Sequence, residues 1–266
     1  MTLLNETIIV LGATGRQGGA TARHLLAKGW RVKALTRDPN KPAARALQQA
    51  GAEIIQSDSE DRDSLEAAMQ GAYGVFSVQG YEQEARQGKN VADAARQASI
   101  QHFIYSSMQS AEGQARAGSS AAMSKWEIEQ YIEASDLPAT ILRPATFMED
   151  VIGPSFGVSN GTFAIAIKPD GMMRLIAVDD IGVFAALAFE RPDVYLGRMI
   201  EIAGDMLTPP QIAAAISRAT GRMILTSRSR LRPSVSKVRR LLVCSDMRMR
   251  QSTIWIFLRY ASSTLI

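Results

Sequence analysis

The chain is short of the residues that build metal centres and disulfide frameworks. Its 266 residues include one cysteine, Cys244, and two histidines, His24 and His102. A single thiol excludes an internal disulfide framework and a multi-cysteine metal site, and two histidines leave little for a histidine-built one. Long apolar runs are missing too. No stretch approaches the ~18 residues of a membrane helix, which excludes an integral membrane protein. The first apolar run, Ile8 to Leu11, follows Glu6 without a basic leader. That argues against a secretory signal and for a cytoplasmic protein.

Acid is scarce only near one end. Residues 222–266 hold nine arginines, Lys237 and a single acid, Asp246, for a local charge of +9. The whole chain has 30 basic and 26 acidic residues, so 20 basic and 25 acidic ones remain in the first 221, giving −5. The basic balance is therefore a property of the tail, and says nothing about the body of the protein.

Within that body, apolar runs alternate with amphipathic segments at short intervals. Strands are expected at 7–11, 31–36, 53–56, 73–78, 102–106 and 139–142. Helices are expected at 19–28, 40–50, 61–69, 84–98 and 120–134. Gly29 and Gly51 follow two of these helices as stops, and Pro42 opens another. Six strands alternating with five helices predict an α/β fold, a Rossmann-type doubly wound parallel sheet, over residues 1–150. The rhythm then loosens into strands at 162–167, 174–178 and 199–202, with helices at 179–189 and 209–220. This reads as a smaller, incomplete α/β lobe over 151–221, followed by an atypical tail over 222–266. The small polar stretch from Gly113 to Ser120 reads as a mobile loop.

Ligands of doubly wound sheets bind beyond the carboxyl ends of the strands, so the residues just after each strand are the ones to examine. After the first strand come Gly12-Ala13-Thr14-Gly15-Arg16-Gln17-Gly18-Gly19. Glycines spaced by three let the backbone turn tightly and bring its N–H groups against a pyrophosphate, at the positive end of the next helix. The strand-to-helix setting is what the dinucleotide fingerprint requires. After the second strand, where an NAD site places an acid, stands Arg37, with Lys41 close by. Planar and point cations there suit a 2′-phosphate, and so NADP(H) over NAD(H), although Asp38 next door offers the acid an NAD site needs. Asp58 and Ser59 follow the third strand, at the adenine edge, unless Asp58 is a helix cap. Gln79, Gly80 and Tyr81 follow the fourth strand, near the middle of a bound cofactor. Tyr105, Ser106 and Ser107 end the fifth. Phe147 and Met148, after the sixth, either wall a nicotinamide or pack between lobes. His24 and His102 read as structural or solvated.

These residues resemble the NmrA-like family, atypical members of the short-chain dehydrogenase superfamily, and within it the NADPH-sensor branch typified by HSCARG. The matching stretches are Val10 to Gly19, Thr36-Arg37-Asp38-Pro39, Gly51-Ala52-Glu53, Asp58, Gly71-Ala72-Tyr73, Gln87-Gly88-Lys89, Leu142-Arg143-Pro144, Phe147-Met148-Glu149 and Val178 to Gly182. They run in the family's order through the first 221 residues. The resemblance implies that Gly12, Ala13, Thr14, Gly15, Arg16, Gln17 and Gly18 hold the pyrophosphate of NADP(H), and Arg37 and Lys41 its 2′-phosphate. It puts Asp58 and Ser59 at the adenine and Gln79, Gly80 and Tyr81 along the nicotinamide half. Lys125 would contact the nicotinamide ribose, and Phe147, Met148, Glu149 and Asp150 would line the nicotinamide pocket. Asp150 stands where the family often has Asn.

The superfamily's usual acid/base is a tyrosine four residues before the lysine, and that position here is Ala121. Tyr131, six residues after Lys125, lies far round the helix. Two readings follow. The protein binds NADP(H) as a redox sensor that answers to a regulatory partner, or it is an NAD(P)H-dependent reductase of quinones or similar acceptors. In the second case Lys125 is the candidate catalytic residue, as a general base. A quinone or dye needs little proton assistance, since its reduced form can take a proton from water.

The resemblance stops at Arg222. The arginine- and serine-rich text beyond it reads as translation out of frame with little order. The rival readings are a basic arm for nucleic acid or an amphipathic segment lying on a membrane.

Overall fold

The computed structural model describes residues 6–80, 82–228 and 254–257. Tyr81 and most of the 222–266 tail, with the expectations placed on them, lie outside the described residues. The chain forms two compact units. One combines the residues up to Pro144 with Val178–Glu201; the other combines Ala145–Ala177 with the residues from Ile202 onward.

The first unit opens as β1 (Thr7–Val10), α1 (Arg16–Ala27), β2 (Arg31–Thr36), α2 (Pro42–Gln49) and β3 (Glu53–Gln56). It continues as α3 (Arg62–Met69), β4 (Gly74–Ser77), α4 (Glu84–Gln97), β5 (His102–Ser106), α5 (Ala111–Arg116), α6 (Ser120–Ala134) and β6 (Ala139–Pro144). These strands lie in the order β6-β5-β4-β1-β2-β3. All pairs between them are parallel, with Ile8 opposite both Val32 of β2 and Gly74 of β4. The strands are apolar on both faces because helices cover both. Ile8, Ile9, Val10, Val75, Phe76, Phe103 and Ile104 are fully buried. On one face they pack with Leu65 and Met69 of α3, Val91 and Ala95 of α4, and Ile128 and Ile132 of α6. This is the doubly wound Rossmann arrangement, and the strand order reverses between β1 and β4. That reversal opens a crevice at the carboxyl ends of those two strands.

The second unit begins with β7 (Thr146–Phe147), α7 (Met148–Val151), β8 (Thr162–Ile165) and β9 (Met173–Ile176). The chain then returns to the first unit as α8 (Val178–Glu190), α9 (Pro192–Tyr195) and the start of β10 (Met199–Ala203), which lies beside β6. Helix α8 packs closely on α1. A Cβ at Gly182 would stand 2.6 Å from the backbone of Ala20, so glycine is required at the crossing. Beside it, Asp179 accepts from His24 Nε2 at 2.9 Å and from Arg23 at 3.2 Å, and the bond from His24 leads in holding the Asp179 carboxyl below its ordinary range. His24 thus takes a structural role.

The second unit resumes with β11 (Asp205–Leu207), α10 (Pro209–Thr220) and β12 (Leu225–Arg228). β9 pairs antiparallel with β11 and parallel with β7, while β12 pairs with β8. Helix α10 starts on a capping box between Thr208 and Gln211, with prolines in its first turn. Its Ile212 and Ile216 join Phe163, Leu175 and Val151 in the unit's own core.

Two local expectations change. Part of the stretch read as a loop between Gly113 and Ser120 lies in α5, whose Ala111 and Ala115 are buried and whose Arg116 pairs with Glu112 one turn earlier. Burial of two alanines outweighs the cost of Gly113 in a helix; Gly118, at φ +90°, lies just beyond its end. Helix α1 also starts three residues earlier than expected, at Arg16, so the glycine motif runs into its first turns.

Candidate functional site

The loop after β1 is shaped by close backbone approaches. Gly12 has φ +62°, and a Cβ there would meet Val78 at 2.8 Å. Gly15 N–H donates to the Gly12 carbonyl at 2.8 Å, closing a tight turn. A Cβ on Gly18 would stand 2.3 Å from the same carbonyl oxygen, so helix α1 can leave the turn at this angle only with glycine there. Gly15 is the N-cap and provides no side-chain cap. The first turn of a helix offers N–H groups without acceptors inside the helix, the kind of place an anion can occupy. A cavity of about 160 Å³, lined by Thr14, Gly15, Gly19, Arg23 and Leu47, runs from this loop to α2. A Cβ at Gly12 or Gly18 would distort this turn, and a tight glycine turn leading into a helix N-terminus is the shape that a pyrophosphate site requires.

At the end of β2, Thr36 is buried, and its hydroxyl accepts from the Asp38 N–H. Asp38 turns one carboxylate oxygen back onto the N–H of Asn40 at 2.9 Å, an Asx turn. Arg37 is exposed, and its guanidinium has no ion-pair partner among the described residues. Lys41 is the N-cap residue of α2, whose first turn holds no acid. Residues 37–41 thus bring two cations to a helix N-terminus, while Asp38, the acid between them, is engaged in a turn.

After β3, Asp58 accepts from the N–H of Glu60 at 3.1 Å. The α3 cap is Asp61, which accepts from Ser64 N–H, so the alternative of Asp58 as a cap is replaced by a turn three residues earlier. The carbonyl of Ser59 is held by Asn90 at 3.0 Å. After β4, Gln79 Nε2 donates to Ser77 Oγ at 2.7 Å, leaving Gln79 Oε1 buried without a partner among the described residues. Gly80 beyond it is exposed.

The end of β5 brings several candidates together. The Ser106 hydroxyl donates to Gln17 Oε1 at 2.6 Å, and its carbonyl accepts from Lys125 Nζ at 3.3 Å. One serine thus joins the first turn of α1 to α6. Lys125 Nζ also lies 2.9 Å from Glu84 Oε1 and 5.6 Å from the centre of the Tyr105 ring. Tyr105 is fully buried, and its hydroxyl has no partner among the described residues. Burial first, then the charges of Glu84 and Glu129, hold its phenol well above its ordinary titration range, so it is neutral. Ala121 faces no titratable role, and the Tyr131 hydroxyl donates to Asp93 at 2.6 Å.

Phe147, Met148, Glu149 and Asp150 belong to the second unit. Phe147 is the N-cap residue of α7, and the other three form its first turn. Met148 packs against that unit's core. Sequence reasoning passed over Glu84: an acid in a helix's first turn is what the helix dipole asks for, and nothing local tells such an acid from one that is buried and paired. No helix among the described residues is long and apolar enough to cross a membrane.

The family model described as NmrA-like family matches residues 4–237. The NmrA-like family domain-containing oxidoreductase FrzB of Cladobotryum sp. is 29% identical over 249 residues, covering 81% of this chain and 74% of that protein. Among solved structures, the negative transcriptional regulator NmrA in complex with NADP superposes with a TM-score of 0.73 at 26% identity, covering 84% of this chain and 74% of that one. NmrA with NAD gives 0.74 at 25%, covering 85% and 75%. The NADPH-dependent quinone oxidoreductase of Escherichia coli with NADPH gives 0.71 at 26%, covering 84% and 78%.

Proposed function

The chain belongs to the NmrA-like family, and from that premise we propose that it binds NADP(H) and acts as a redox-sensing regulatory module. The residues that would hold the dinucleotide are the 12–18 loop for the pyrophosphate, Arg37 and Lys41 for the 2′-phosphate, Asp58 and Ser59 for the adenine, and Gln79, Gly80, Tyr81 and Lys125 for the nicotinamide half. Phe147 to Asp150 complete the assignment. When bound, the nicotinamide supplies a hydride donor or acceptor. The solved relatives carry NADP or NAD, so the preference for the phosphorylated form rests on the Arg37–Lys41 corner and on the turned carboxylate of Asp38.

The observation that carries the regulatory reading is that position 121, one helical turn before Lys125, holds no phenol. That position is alanine, and the nearby phenol of Tyr105 is fully buried, away from any substrate. A carbonyl substrate would lack a tyrosine at this position to protonate its developing alkoxide. A reductase of quinone-like acceptors is the second reading, favoured by the oxidoreductase names of curated relatives and by the quinone oxidoreductase among similar structures. Calorimetry with NADPH, NADP⁺ and NADH, followed by NADPH oxidation against a quinone panel, separates the two. Tight binding without turnover supports the sensor. Turnover that disappears in Lys125→Ala establishes the reductase, and no heat with any dinucleotide refutes both.

A further inference from the structure

Lys125 is fixed by three elements at once. The lysine comes from α6, Glu84 from the first turn of α4 and Ser106 from the end of β5. The lysine side chain is 11% exposed and that of Glu84 only 2%. What surrounds Nζ is uniformly electron-rich: a carboxylate oxygen at 2.9 Å, a carbonyl oxygen at 3.3 Å and the face of the Tyr105 ring. An ammonium has three donors and no lone pair, so it can satisfy both oxygens and keep one donor for another partner. A neutral amine could donate to both oxygens, but it would leave the buried Glu84 carboxylate without an opposite charge. The arrangement suits a fixed donor and does not suit a group that accepts a proton from substrate.

We propose that Glu84 is a positioning residue: its buried carboxylate pins Lys125 as a charged donor whose remaining N–H serves the nicotinamide half of the dinucleotide. Lys125 is then a binding residue and not a general base. Through Ser106, whose hydroxyl holds Gln17, the pinned lysine is tied to the turn that receives the pyrophosphate. The inference rests on the NADP(H) reading given above, and it adds a residue that the glycine motif and the Lys125 position do not identify.

The test compares two ligands by calorimetry: NADPH, and adenosine 2′,5′-bisphosphate, which carries the adenine and the 2′-phosphate but lacks the nicotinamide half. Wild-type protein is measured first. Failure to bind NADPH would overturn the dinucleotide reading itself. If wild type binds, Glu84→Gln is expected to weaken NADPH about tenfold, the worth of one misaimed hydrogen bond, and to leave the bisphosphate within about twofold. Lys125→Met should show the same selective loss, and the double variant should be no weaker than either single one, because both act through one contact. A Glu84→Gln protein that binds NADPH like wild type overturns the proposal. So does one that loses both ligands equally, or one whose effect adds to that of Lys125→Met. Removing one partner of a buried pair can prevent folding. Where circular dichroism shows Glu84→Gln unfolded, Glu84→Asp carries the measurement. It keeps the charge but draws it back by one methylene, and the selective loss is expected again. Wild-type affinity for NADPH in that variant counts against the proposal.

Discussion

His102 is buried in a place where a second proton is costly. Its Nε2 lies 2.8 Å from Thr140 Oγ1, and the Thr140 hydroxyl spends its one hydrogen on the Tyr195 carbonyl at 2.8 Å. The imidazole must therefore be the donor to Thr140, which fixes the Nε2–H tautomer. Nδ1 is buried with no partner among the described residues, and the ring meets Phe189 edge-on at 5.2 Å. A proton on Nδ1 would create a charge with no acceptor, and burial lowers the histidine pKa from 6.5 to about 4. Because the folded value lies below the unfolded one, the unfolded chain takes up the proton first. The contribution is complete above about pH 6.5 and is lost as pH falls toward 4. The difference of about 2.5 units corresponds to about 3 kcal/mol, of which about 2 kcal/mol is gone by pH 5. Carboxylates titrate in the same window, so the assay is a difference. Urea unfolding of wild type and His102→Gln is followed from about pH 7.5 down to about pH 4.5, with the glutamine amide taking over the donation to Thr140. Wild type is expected to lose about 2 kcal/mol more than the variant between pH 7.5 and 5. Parallel profiles would refute the neutral, desolvated imidazole.

Gly18→Ala places a methyl 2.3 Å from the Gly12 carbonyl oxygen, so the turn must open. Affinity for NADPH is expected to fall about tenfold or more by calorimetry, and unchanged affinity would remove this loop as the pyrophosphate site. Arg37→Ala deletes the exposed cation after β2. It should weaken NADPH by about ten- to a hundredfold while sparing NADH, and equal loss for both would show that Arg37 does not read the 2′-phosphate.

Most of the first unit was legible because its strands are covered on both faces. Burial on both sides makes a parallel strand a short continuous apolar run, and Ile8-Ile9-Val10 or Val75-Phe76 can be little else once glycines and amphipathic helices flank them. The glycine loop was legible for a steric reason: close approach at Gly12 and Gly18 forbids side chains, so the residue type records the geometry. The return of α8 to the first unit left a weaker trace. Only Gly182 marks its crossing with α1, and a lone glycine in a helix has many causes. Helix α5 was hidden by Gly113 and Gly118, since the burial that stabilises it is tertiary. At the candidate site, Arg37 and Lys41 were proposed from their place after a strand and Gln17 from the family resemblance. Glu84 was not, because its meaning depends on Lys125, forty-one residues later, and pairs across helices leave no local period.

The same pair bears on why a tyrosine at position 121 would gain this protein little. In a Tyr–Lys arrangement the lysine charge lowers the phenol's pKa by ~1–3 units when it stands within several ångströms uncompensated. Here a buried carboxylate at 2.9 Å already faces that charge, so a phenol one turn earlier on α6 would meet nearly a neutral pair. The native Tyr105 lies close to both groups, and its titration is raised first by burial and then by the charges of Glu84 and Glu129. Ala121→Tyr is therefore expected to titrate in the ordinary phenol range by ultraviolet difference spectroscopy, and to reduce no simple carbonyl substrate with NADPH. Combining it with Glu84→Gln should expose the lysine charge and lower the new phenol's pKa. A depressed phenol in the single Ala121→Tyr variant would mean that Glu84 does not neutralise Lys125, and the account of the pair would fail with it.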